Sequence, residues 1–134
     1  MSVTARDFAG VWTLADWRRT GGDVTYPFGE GARGRIAYDA SGSVAAFLMR
    51  ADWGATGPAG GPGFMAYAGR WRVDGNEVRH AVEFASIPGW VGTTLVREWS
   101  FTPDGTLVLL TPWRDAPAGR TRDQLSWRRE APGS

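Results

Sequence analysis

A chain of 134 residues with 15 basic and 14 acidic side chains carries a net charge of +1. That balance gives no electrostatic reason to bind nucleic acid or an anionic membrane, and the length suits one domain, 1–134, with a real core. The absence of cysteine excludes disulfides and thiol catalysis.

No helical period persists, and short alternating segments separated by turn signals predict an all-β domain. A helical turn is expected near Thr4–Phe8, with Thr4 as its cap. The first strand is expected at about 10–19, followed by a loop and the segment Val24 to Gly29. Strands at about 33–39 and 43–50 flank the turn Asp39-Ala40-Ser41-Gly42. The Gly-rich stretch from Ala51 to Gly63 has few side chains to pack, and reads either as a portal flap or as a plain hairpin tip. Arg50, beside it, is a candidate guard for a barrel mouth. Strands at about 64–73 and 77–86 meet at Asp74-Gly75-Asn76, a hairpin signal. The last three are expected at about 93–102, 106–111 and 121–130, before a polar tail.

Eight antiparallel strands joined by short hairpins would leave open edges in a flat sheet. Closure into an eight-stranded antiparallel up-and-down β-barrel removes them. A barrel of that size either fills itself with side chains or keeps an internal pocket for one small ligand. The inward candidates are large: Trp12, Tyr38, Tyr67, Trp71, Phe84, Trp99 and Trp127. The eight tryptophans of the chain fit either a packed core or an aromatic-lined cavity.

The only histidine, His80, shares a predicted strand face with Val78, Val82 and Phe84. On the following strand, Arg97 shares a face with Leu95, Trp99 and Phe101. Each strand thus sets one basic group among apolar side chains, where a cation needs a partner or a ligand. Histidine exchanges protons near neutral pH, and a guanidinium can hold a carboxylate, enolate or phenolate. Opposed to this is a purely structural network, with both groups bonded to backbone or to an inward tyrosine. Glu83 and Glu98 are expected to face outward and to pair with arginines such as Arg79, so they form no acid–base pair in the interior.

The order and spacing of several segments resemble the bacterial and fungal lipocalin-like domain family. They are Gly10-Val11-Trp12, Tyr26-Pro27-Phe28-Gly29, Gly34-Arg35-Ile36-Ala37-Tyr38, Leu48-Met49-Arg50, Tyr67-Ala68-Gly69-Arg70-Trp71 and Val73-Asp74-Gly75. His80-Ala81-Val82-Glu83, Pro88-Gly89-Trp90-Val91-Gly92-Thr93, Arg97 and Leu125-Ser126-Trp127-Arg128-Arg129 complete the set. The resemblance implies a short calycin-type barrel with an internal pocket, and Trp12 under Arg129 or Arg128 as a structural cation–π pair. Some such barrels carry ligands, and others in natural-product pathways act as cyclases or isomerases without a cofactor. Gly89 and Leu95 stand where the family pattern has asparagine and glutamine, which implies a more apolar pocket.

The leading expectation is binding of a small, largely apolar molecule, aromatic or polyene-like, by Tyr38, Tyr67, Trp71, His80, Phe84, Arg97 and Trp99. The alternative is a cofactor-free cyclase or isomerase of a secondary-metabolite pathway, with His80 as acid–base group and Arg97 as anion clamp. A third reading is an interaction module with a filled core, such as a homodimer contacting through Trp53, Trp90 or Trp113. No metal or haem ligand set is present, so no cofactor is expected. No nucleic-acid or membrane partner is expected, and with no apolar leader the expected location is the cytoplasm.

Overall fold

A computed structural model describes residues 5–53, 63–117 and 119–131. It contains the eight expected strands: β1 Gly10–Thr20, β2 Arg33–Tyr38, β3 Ser43–Met49, β4 Phe64–Asp74, β5 Glu77–Ala85, β6 Thr94–Phe101, β7 Leu107–Leu110 and, after one further short strand, β9 Gly119–Arg129. That extra strand is β8, Arg114–Ala116, which folds back onto the start of β9. Strands β1 to β7 pair in sequence, and β9 pairs with both β7 and β1. The sheet is therefore a closed eight-stranded antiparallel up-and-down barrel, with the β8–β9 hairpin added at one end. The Gly-rich segment, read as a flap or as a hairpin tip, lies outside the described residues from 54 to 62, as does the expected cap Thr4.

Alternation sets the inside and outside of most strands. In β4, Tyr67, Gly69 and Trp71 are buried while Arg70 and Arg72 are exposed. Two irregularities shift that phase. In β1 the register with β9 slips at Ala15, so that Trp12 and Leu14 face inward before it and Trp17 after it. In β5 the register with β4 slips between Val82 and Phe84: Gly69 pairs with Val82, and the next residue back, Ala68, pairs with Phe84. Gly69 permits this crowded crossing, because a Cβ there would lie 1.9 Å from the Ala81 carbonyl oxygen.

The β5 bulge corrects one expectation directly. Phe84 does not share the inward face of His80 and Val82; it points outward and is 70% exposed. The extra residue at Glu83 flips the strand's phase beyond it. On the surface, Glu98 faces outward and meets an arginine as expected, but that arginine is not Arg79. Register sets Arg79 opposite Val96, so its nearest acidic neighbours are Glu77 at 2.8 Å and Asp74, while Glu98 pairs with Arg122.

One end of the barrel is packed shut. The turn α1, Ala5–Phe8, inserts Phe8 among Tyr38, Trp99 and Phe101, with ring centroids 5.5–5.6 Å apart. Trp71 joins this group 4.9 Å from Tyr38 and donates its indole N–H to the Asp39 carbonyl. Trp12 donates to the Phe8 carbonyl at 2.9 Å, and the Arg129 guanidinium lies 4.2 Å from the Trp12 ring centre. Arg129 also donates to the carbonyls of Ala9 and Asp7, tying the last strand to the plug. Each large side chain so buried contributes roughly 1.5–3 kcal/mol.

Candidate functional site

The opposite end holds a cavity of about 560 Å³. Its apolar wall includes Phe28, Ile36, Leu48, Met65, Leu109 and Leu125, with the indoles of Trp17, Trp90 and Trp127. Phe28 reaches in from the loop after β1 and packs at a tilt, ring centroids 4.7 Å apart, against Trp17, which the β1 bulge has turned inward. Trp90 stands on a short 3-10 turn, Pro88–Trp90, and meets Tyr67 edge-on at 5.8 Å. It is thus part of the cavity wall, not an exposed contact; Trp53 and Trp113 remain exposed at 40% and 42%.

Where the cavity meets the aromatic plug stands His80, 1% exposed. Its register partners are Trp71 on β4 and Leu95 on β6. The Tyr38 hydroxyl oxygen lies 2.7 Å from Nε2, and the Tyr67 hydroxyl oxygen lies 2.7 Å from Nδ1. Both ring nitrogens are therefore engaged. Burial, assisted by the nearby Arg97 charge, lowers the His80 pKa to about 3, so the imidazole is neutral at ordinary pH. Burial pushes the Tyr67 hydroxyl up to about 12, with Arg97 opposing. Tyr38 is raised well above its ordinary value by burial and by Tyr67.

Arg97 lines the cavity from β6 and is partly buried. Among the described residues it donates to the Val96 carbonyl at 3.0 Å, and no carboxylate pairs with it.

A second polar group lies near the mouth. Asp123 on β9 accepts from Trp17 at 3.1 Å, from Arg19 at 2.8 Å and from Arg114 at 2.8 Å. Burial alone would raise its pKa, but these donors hold it below the usual carboxylate value. Thr111 donates nothing to that carboxylate; its hydroxyl instead accepts from the Asp123 backbone N–H at 2.8 Å. Asp123 was missed from sequence. Its signal was the β9 alternation, in which Asp123, Leu125 and Trp127 are all buried. Arg50, the expected guard of the mouth, is held at 2.8 Å by its neighbour Asp52.

Of the seven residues expected to face a ligand, Tyr67, His80 and Arg97 line the cavity. Tyr38, Trp71 and Trp99 point inward but lie in the plug, beyond the cavity wall, and Phe84 lies on the outer surface. Alternation reports inside against outside; it does not report height along the barrel axis.

The family model described as lipocalin-like domain matches residues 59–130, just over half of the chain. This chain belongs to the lipocalin-like domain family. The matched stretch runs from β4 to β9 and so contains Tyr67, His80, Arg97 and Asp123. No curated protein matches the sequence. A lipocalin-like barrel is a ligand-binding scaffold in general, and no helix among the described residues is long and apolar enough to cross a membrane.

Proposed function

We propose that this lipocalin-like barrel binds one small, largely apolar molecule, aromatic or polyene-like, in the cavity at its open end. The observation that carries the reading is the contrast inside the cavity: a wall of tryptophan and aliphatic side chains with two polar stations, Tyr67, His80 and Arg97 next to the plug and the Asp123 cluster near the mouth. Concave, mostly apolar space with a few convergent polar groups is the usual form of a small-molecule site. The volume of about 560 Å³ falls within the range of about 300–1,000 Å³ usual for small-molecule pockets.

Binding stands ahead of the cyclase or isomerase reading because of His80. An acid–base catalyst works best with a pKa near the operating pH. His80 is held neutral, and both its nitrogens are committed to tyrosines. Any proton transfer in this cavity would need another group.

The reading is tested by native mass spectrometry of the protein after incubation with a metabolite extract of its source organism, with the extract profiled before and after. Binding predicts a retained small-molecule mass and an otherwise unchanged extract. A chromatographic peak that moves, with no mass retained, contradicts binding and restores catalysis.

A further inference from the structure

Tyr38 is fully buried in the aromatic plug, and its hydroxyl has one partner among the described residues, Nε2 of His80. A buried hydroxyl left without an acceptor costs about 1–3 kcal/mol. Nε2 is the acceptor within reach, so Tyr38 donates to it and Nε2 carries no proton. The neutral imidazole then holds its proton on Nδ1, which donates to the Tyr67 hydroxyl oxygen at 2.7 Å. With its oxygen accepting from His80, Tyr67 keeps its own O–H free. Among the described residues that O–H has no protein acceptor, and Tyr67 lines the cavity.

Arg97 lines the same cavity, with a backbone carbonyl as its described partner and no carboxylate. The Tyr67 O–H and the Arg97 guanidinium, both short of acceptors, thus share this cavity with the Trp127 indole N–H, itself buried without a partner among the described residues. The charge of the lining agrees: Arg19, Arg97 and Arg114 stand against the single carboxylate of Asp123, which Arg19 and Arg114 already share. An uncompensated guanidinium in a low-dielectric cavity favours an anion.

We propose that the ligand ends in an oxyanion, a carboxylate, enolate or phenolate, received jointly by Arg97 and the Tyr67 hydroxyl. In this arrangement Tyr38 and His80 are positioning residues: they turn the Tyr67 proton toward the ligand and do not touch it. The inference rests on the reading that the cavity binds a small molecule, and it names the chemistry of that molecule's polar end.

The test pairs two probes of the same shape, 2-naphthoate and 2-naphthamide, measured by titration calorimetry at neutral pH. The expected result is about tenfold tighter binding of 2-naphthoate, the value of one charge-assisted hydrogen bond. Arg97→Gln should abolish that preference and Arg97→Lys should keep part of it. Tyr67→Phe should weaken 2-naphthoate several-fold and 2-naphthamide by less, because the amide carbonyl accepts the same O–H only as a neutral partner. Because His80 is the sole histidine, ¹⁵N-histidine NMR reads its tautomer without overlap, and the expected spectrum has the proton on Nδ1. A proton on Nε2 overturns the relay. Equal binding of both probes overturns the oxyanion while leaving the binding reading intact. Binding of neither probe overturns the two together.

Discussion

The two ends of this barrel are built from the same kinds of side chain and do opposite things. At the closed end, Phe8, Trp12, Tyr38, Trp71, Trp99 and Phe101 fill the interior against one another, and the indole donors of Trp12, Trp71 and Trp99 reach backbone carbonyls. At the open end, Trp17, Trp90 and Trp127 stand apart around a cavity, and the polar groups beside them include an arginine without a carboxylate partner. The difference is a matter of satisfaction. A region whose donors all find protein acceptors is structural, and a region with donors left over is shaped for something else. His80 joins the two: one nitrogen faces a tyrosine of the plug, the other a tyrosine of the cavity.

The sharpest way to break this contrast is to empty the closed end. Trp12→Ala removes a nearly fully buried indole and the platform under Arg129. Its expected cost is about 3–5 kcal/mol in denaturant unfolding. A loss below about 1 kcal/mol would mean that the plug is not the structural half.

At the mouth, Asp123→Ala leaves Arg19 and Arg114 without their shared carboxylate. Because both arginines keep some access to water, the expected loss is about 1–3 kcal/mol, read by the same unfolding curves. An unchanged midpoint would show the cluster to be incidental.

The junction has a pH signature. The folded pKa of His80 is about 3, below the ordinary histidine value of about 6.5. Between these values the unfolded chain binds a proton that the folded one does not, so stability is lost as pH falls through that window. His80→Gln removes this contribution. Wild type should therefore lose about 1.4 kcal/mol more per pH unit than the variant between pH 6 and pH 4. Parallel pH profiles for the two proteins would contradict a buried neutral histidine.

The smallest effect is expected outside the barrel. Phe84→Ser should change stability by no more than about 0.5 kcal/mol, because the side chain is 70% exposed. A loss of several kcal/mol would place Phe84 inside and restore the uninterrupted alternation of β5.

The strands themselves were legible because most carry a period-two pattern between turn residues. A segment such as Val78-Arg79-His80-Ala81-Val82 leaves little choice of element, whereas the apolar run Leu107-Val108-Leu109-Leu110 is placed by the turn Pro103-Asp104-Gly105 before it. The short β8 was not legible. Arg114–Ala116 lies between Pro112 and Pro117 and has no alternating apolar positions, so only its local hairpin with β9 makes it a strand. Phe84 failed for a different reason: a bulge has no marker in β5 itself, although Gly69 across the ladder marks the close approach. The link between His80 and the two tyrosines rests on barrel closure, which brings β2, β4 and β5 to one height. Sequence supplied the inward direction of each group and the option of a histidine–tyrosine bond, but not that His80 meets both Tyr38 and Tyr67.

The most direct test of the central claim is an NMR titration of the amide and methyl signals with 2-naphthoate. The account predicts shifts concentrated at Leu48, Met65, Trp90, Leu109 and Leu125, around the cavity, with Phe8, Trp12 and Phe101 of the plug unmoved. Shifts gathered instead on the outer face around Phe47 and Phe84 would contradict an internal site.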